Sequence, residues 1–200
     1  MKSLSQHIQE ALKVGSKSKV NAFNYHPKTR IELKELVEKL IEERGNDADL
    51  NDIDTSEITD MSSLFYNSEF NGDISKWNMG KVKNIFFMFA NSIFNGDISG
   101  WDVSSVEDMS AMFQNSKFNG DISDWDVSSV KNMGYMFDHS EFNGDISNWN
   151  VKKVENMYSM FTYSKFNGDI SGWDVSSVKD MRVMFSKSPL KKNPPAWWHN

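Results

Sequence analysis

The hexapeptide Phe-Asn-Gly-Asp-Ile-Ser begins at Phe70, Phe94, Phe118, Phe142 and Phe166, at an unbroken spacing of 24 residues. Tryptophans keep the same register at Trp77, Trp101, Trp125, Trp149 and Trp173. Each unit reads F-N-G-D-I-S-x-W-[DN]-[VM]-x-x-V-[KE]-[ND]-[MI]-x-x-M-F-x-x-S-x. A fixed period without insertions describes a supersecondary unit that buries its apolar face only by stacking on copies of itself. Degenerate copies flank the array: Leu50, Ile53 and Leu64-Phe65 before it, Leu190 and Trp197 after it. Pro194 and Pro195 stand where Ile and Ser would recur, and proline, lacking an N–H, suits a last unpaired edge. The expectation is six to seven stacked coils with atypical ends.

Each unit divides in two. D-I-S-x-W is too short for a helix and predicts a short strand after an N-G turn. V-x-x-M-x-x-M-F is apolar at i, i+3, i+6 and i+7, which predicts a helix of about two turns. Stacking then places Asn71, Asn95, Asn119, Asn143 and Asn167 in one column and Asp73, Asp97, Asp121, Asp145 and Asp169 in another. The asparagines are placed to bond backbone groups that tight turns leave unpaired. The recurring glycines, from Gly72 to Gly168, are expected at positive φ. After the Val, the signs alternate along Lys83, Glu107, Lys131, Glu155 and Lys179, as stacked ion pairs require.

These residues closely resemble the BspA-like leucine-rich-repeat family, also described as the mycoplasma-type lipoprotein repeat. The resemblance spans residues 46–198. It implies an α/β repeat, a right-handed leucine-rich-repeat-like solenoid of strand-turn-short-helix coils used for binding. Family members are often bacterial surface proteins that engage host or matrix proteins, and similar repeats occur in gut bacterial and phage genomes. Surface members usually carry a secretion signal, a lipobox Cys or a sorting tail. Neither a signal nor a lipobox is seen here, so the expected location is the cytoplasm, with a surface or virion setting as the alternative.

Ahead of the repeat, Leu4, Ile8, Ala11 and Leu12 mark one amphipathic helix over Ser3–Val14. Thr29 with Glu32 forms a T-x-x-E capping box for a second, with Leu33, Leu36, Val37, Leu40 and Ile41 as its apolar stripe and Gly45 as its stop. Residues 1–45 are therefore expected to be an N-terminal helical cap, and 46–200 the repeat domain.

Charge is segregated. Residues 46–178 carry eight Lys/Arg against twenty-one Asp/Glu, whereas 179–200 carry five against one. The acidic middle repels phosphate, which argues against nucleic acid and for a protein partner, a basic one by complementarity. Zero Cys excludes disulfides and a thiol nucleophile. His7, His26, His139 and His199 are scattered without metal-ligand spacing. Carboxylates that recur five times in identical form read as structural, with calcium at Asp97, Asp121 and Asp145 beside Asp102 and Asp126 as the alternative. No enzyme, no cofactor, no resident metal and no membrane insertion are expected, and a monomer is favoured.

The candidate site lies where the units disagree. Tyr66, Phe86, Phe87, Tyr135, His139, Tyr158 and Tyr163 occupy variable positions around the Met-Phe pair, and aromatic side chains favour interface hot spots. They are expected to form one contiguous strip that binds a partner protein. The residues before each Trp, namely Lys76, Gly100, Asp124, Asn148 and Gly172, are the second candidate. Trp198 lacks a Trp at its repeat equivalent and is expected to stand exposed. The expected function is non-enzymatic protein–protein recognition. The alternatives are a phage- or mobile-element-encoded inhibitor of a host enzyme or defence complex, and a surface adhesin or assembly protein.

Overall fold

A computed structural model describes residues 23–199; the helix expected over Ser3–Val14 lies outside them. The second expected helix, α1, runs Arg30–Arg44. Thr29 Oγ1 accepts the Glu32 N–H at 3.2 Å, and Glu32 Oε2 reaches back to the Lys28 N–H at 2.7 Å, one residue before the cap. Gly45 ends the helix at φ 89° and donates to Ile41 O. The face formed by Leu33, Leu36, Val37 and Leu40 is buried in the same core as Leu50 and Ile53 of the first repeat-like residues. Arg44 fixes its end by a two-pronged bond to Asp52, both contacts at 3.0 Å, and Arg30 Nη1 donates to Ser62 O at 2.9 Å.

The short helices expected in the repeats are not there. Among the described residues, helix is confined to α1 and one 3-10 turn at Pro189–Lys191. Each V-x-x-M-x-x-M-F segment is instead a succession of β-turns. The Met88 N–H donates to Ile85 O and the Ser92 N–H to Phe89 O, both three residues back. Phe87 and Asn91, third in these turns, have φ of 57° and 55°. A left-handed residue every fourth position breaks any i→i+4 ladder and is the mark of a type II turn.

The alternate N–H groups point along the stack. Those of Ile85, Phe87, Phe89 and Asn91 donate to the carbonyls of Asp108, Ser110, Met112 and Gln114 in the next coil, at 2.8–3.1 Å. Parallel bridges run Asp60–Asn84–Asp108–Asn132–Asn156–Asp180, again one coil per step. Between the full repeats backbone pairing therefore lies in the half read as helix; only at the first, degenerate coil is the other half paired too, through the Asp49–Asp73 bridge, among the described residues. The half read as strand is a turn, closed by Trp77 N–H to Ile74 O at 3.1 Å. There the coils are joined by side chains: Asn95 N–H donates to Asn71 Oδ1 at 2.7 Å, and the same bond recurs at Asn119, Asn143 and Asn167.

Two columns of phenylalanine fill the interior. Phe89 and Phe94 stack at 4.3 Å within a coil, and Phe89 meets Phe113 of the next at 5.8 Å and 5°. Each fully buried ring contributes about 1.5–3 kcal/mol through area removed from water, and each ring pair adds about 0.5–1.5 kcal/mol. The repeat glycines are not at positive φ; among the described glycines only Gly45 is. Their reason is space: a Cβ on Gly120 would lie 2.9 Å from the Phe118 ring. The expected charge column is present, with Glu107 between Lys83 at 3.4 Å and Lys131 at 2.7 Å. A second column runs Lys117–Glu141–Lys165, beyond the one expected from the sequence.

Candidate functional site

The turns that replace the helices decide where the aromatic side chains go. Two left-handed columns run along the stack: Ser63, Phe87, Ala111, Tyr135, Ser159 and Val183 in one, Asn67, Asn91, Asn115, His139, Tyr163 and Lys187 in the other. Four of the seven candidate residues therefore sit at φ between 52° and 59°. Asparagine is the ordinary non-glycine occupant of such a position. The first three members of the second column follow that rule, and Asn115 Nδ2 donates to Asn91 Oδ1 at 2.8 Å. His139 and Tyr163 then depart from it.

The seven residues form local groups rather than a continuous strip. Phe87 packs edge-on to Phe86 at 4.2 Å and lies 5.8 Å from Tyr66. Two coils further on, Tyr135 and Tyr158 meet edge-on at 5.1 Å, and His139 stacks on Tyr163 at 4.5 Å. Between the groups the equivalent positions are Ser110, Ala111 and Gly134, all buried, and no aromatic contact among the described residues bridges them. The strip is broken because the small residues of the Phe94 unit put nothing large on that stretch of surface. Tyr66, Phe86, Tyr135 and Tyr163 are 40–53% exposed; His139 is exposed, and Phe87 and Tyr158 are half-buried.

Polar neighbours frame the second group. Asp138, with its side chain almost wholly buried, accepts from Gln114 Nε2 at 2.9 Å and lies 2.8 Å from His139 Nδ1. Burial, and then the adjoining Tyr158 hydroxyl, raise the Tyr135 phenol above its ordinary value. The Arg182 guanidinium lies 5.5 Å from the centre of the Tyr158 ring while paired with Asp180 at 2.7 Å. Arg182 and the exposed Val183 continue the same two variable columns and were not among the candidates, although their register carries the signal.

The second candidate positions, Lys76, Gly100, Asp124, Asn148 and Gly172, are all exposed, but at turn corners and not on strands. The recurring aspartates are committed locally: Asp97 Oδ1 accepts the Ser99 N–H at 3.0 Å and its hydroxyl at 2.7 Å, and Asp121 does the same with Ser123. Among the described residues no group of three His, Asp or Glu is arranged to hold a metal ion. No helix there is long and apolar enough to cross a membrane. Trp198 is half-buried, edge-on to Phe185 at 5.1 Å, and not exposed as expected.

Neither curated proteins nor solved structures yielded a match. A family model matches twice, over residues 32–138 and 94–198. The two matches overlap within the repeat, as a model of a shorter repeat array does when it slides along a longer one. Together they cover most of the chain, which therefore belongs to the family described as Mycoplasma protein of unknown function, DUF285.

Proposed function

We propose that this chain is a non-enzymatic protein-recognition module, a BspA-like leucine-rich-repeat solenoid whose aromatic groups around Phe87 and Tyr135 contact a partner protein. One observation carries the reading. Exposed aromatic side chains occupy left-handed backbone positions where Asn is the less costly choice. A left-handed conformation costs an ordinary L-residue about 1–2 kcal/mol, and strain of this kind gathers at ligand-contacting sites. Placing Tyr and His there gives up local stability for surface aromatics, which are the side chains that anchor interfaces.

The test is a set of substitutions with opposite effects on stability and binding. His139→Asn and Tyr163→Asn extend the existing Asn column, so each raises the thermal midpoint. Tyr135→Asn does the same in the other column. An affinity capture with the triple variant beside wild type then loses the wild-type partner while the fold gains stability. A triple variant that keeps the same captured partner refutes the assignment of this surface.

A further inference from the structure

Phe87 and Tyr135 share one left-handed column, two coils apart, with Ala111 between them. That column offers no edge to an added strand. The N–H groups of Phe87, Ala111 and Tyr135 donate to the Ser110, Gly134 and Tyr158 carbonyls of the next coil at 2.8–3.1 Å. Their own carbonyls accept the Ala90, Gln114 and Asp138 N–H groups at 3.0–3.2 Å. A segment lying here meets side chains only, and its backbone stays unpaired with this one. Polyproline II is the extended conformation that forms no hydrogen-bonded ladder.

The spacing agrees with it. Coils joined by backbone bonds lie about 4.8 Å apart, which puts Phe87 and Tyr135 about 9.6 Å apart along the stack. A polyproline II segment turns once every three residues and rises about 3.1 Å per residue, so residues i and i+3 face the same side about 9.3 Å apart. In a β-strand the same two residues face opposite sides.

The two groups differ in chemistry. Tyr66, Phe86 and Phe87 pack on one another, and among the described residues no charged side chain bonds to them. The Tyr135 group is flanked by charge. Burial, the Tyr158 hydroxyl and then the Asp138 and Asp180 carboxylates raise the Tyr135 phenol. One guanidinium already sits in this group: Arg182, paired with Asp180 at 2.7 Å, lies 5.5 Å from the centre of the Tyr158 ring. Tyr135 is 40% exposed and among the described residues has no cation over its ring. Aromatic faces and carboxylates both attract a cation, and the planar guanidinium stacks on a ring where an ammonium does not. The body of the stack, with eight Lys/Arg against twenty-one Asp/Glu over 46–178, adds a field of the same sign.

We propose that the two groups hold one polyproline II segment of the partner protein, with an apolar residue on the Phe87 group and an arginine three residues away against the Tyr135 ring, which rests on the reading of this aromatic surface as the partner contact. What the surface then selects is the conformation of the segment, the spacing of its two anchors and the charge of one of them.

The octapeptide Ala-Pro-Leu-Pro-Pro-Arg-Pro-Ala carries leucine and arginine at this spacing. Titrated into the full chain and followed by backbone-amide NMR, it shifts Phe87, Ala111 and Tyr135 most. Replacing its arginine by glutamate weakens binding at least about tenfold, and moving the arginine beside the leucine, as in Ala-Pro-Leu-Arg-Pro-Pro-Pro-Ala, does so by a similar factor. The Tyr135→Asn variant binds the arginine and glutamate peptides alike, and Phe87→Asn binds the two spacings alike; either variant decides if the other fails to fold. No binding of the first peptide, equal binding of the glutamate or the respaced peptide, or shifts centred away from this column overturns the proposal, while the reading of the aromatic surface still stands or falls by the capture with the Asn variants. A peptide-free protein that sediments above monomer mass, and loses that excess in Phe87→Asn, also overturns it and gives the face to a second copy.

Discussion

The indole nitrogen of Trp101 donates to the carbonyl of Ile74, 27 residues earlier, at 3.2 Å. The bond recurs at Trp77, Trp125, Trp149, Trp173 and Trp197 at 3.0–3.1 Å. The tryptophan column is thus both core and hydrogen-bonded cross-link between coils. Trp125→Phe keeps an aromatic ring but removes one of the two donors to the Ile98 carbonyl, which still accepts the Trp101 N–H, and so costs about 0.5–1.5 kcal/mol. Trp197→Phe, at a half-buried end, costs less. Urea midpoints of the two variants check this, and equal losses would show that the indole N–H contributes nothing inside the stack.

The stacking and its register were legible in the residues, because a 24-residue period with alternating Lys83, Glu107 and Lys131 is what coils laid one upon the next require. The local conformation was not. Val82, Ile85, Met88 and Phe89 carry a spacing that a helix and a chain of β-turns share, since both return every third or fourth residue to the interior. Only positive φ separates them, and that signal is carried weakly, by Asn67, Asn91 and Asn115. Phe87, Tyr135 and Val183 hide it, being residues that rarely adopt such backbone. The aromatic candidates were legible as deviations from the repeat, but their grouping depends on the turns and was not.

Two glycines separate crowding from conformation. Gly120→Ala forces a Cβ to 2.9 Å from the Phe118 ring and is destabilising by about 1–3 kcal/mol. Gly100→Ala meets nothing within 4 Å and Gly100 is not at positive φ, so it stabilises by about 0.4–1 kcal/mol. Thermal midpoints that move in the same direction for both would rule out crowding as the reason for glycine at position 120.

Val183 combines a β-branched side chain with φ 53° and 47% exposure. Val183→Asn relieves that strain and raises stability by about 1 kcal/mol. Differential scanning calorimetry of the variant checks the sign, and a lowered midpoint would mean that the valine side chain contributes packing that outweighs the strain.

Glu107 lies between two lysines, so Glu107→Lys converts two attractive contacts into two repulsive ones. The side chains are exposed, and salt therefore screens the effect. The loss of thermal midpoint should be clear at low ionic strength and shrink towards zero near 1 M salt. A salt-independent loss would point to altered backbone packing instead.

Acid should unfold this protein through its aspartates. The Ser99 hydroxyl and then its N–H hold the Asp97 carboxyl below the usual range, and the Ser123 and Ser147 N–H groups do the same for Asp121 and Asp145. A carboxylate whose folded pKa lies below its unfolded value adds stability above the unfolded pKa. That stability disappears as pH falls through the folded pKa. The thermal midpoint is therefore expected to be flat from pH 7 to about 5 and to drop below about pH 4, where free aspartate protonates. Asp97→Asn/Asp121→Asn/Asp145→Asn retains the acceptor oxygens without a titrating group, and its acid limb should be shallower. An acid limb as steep as that of wild type would move the cause to the remaining carboxylates, with Glu107, Glu141 and Glu155 of the lysine columns next to be tested.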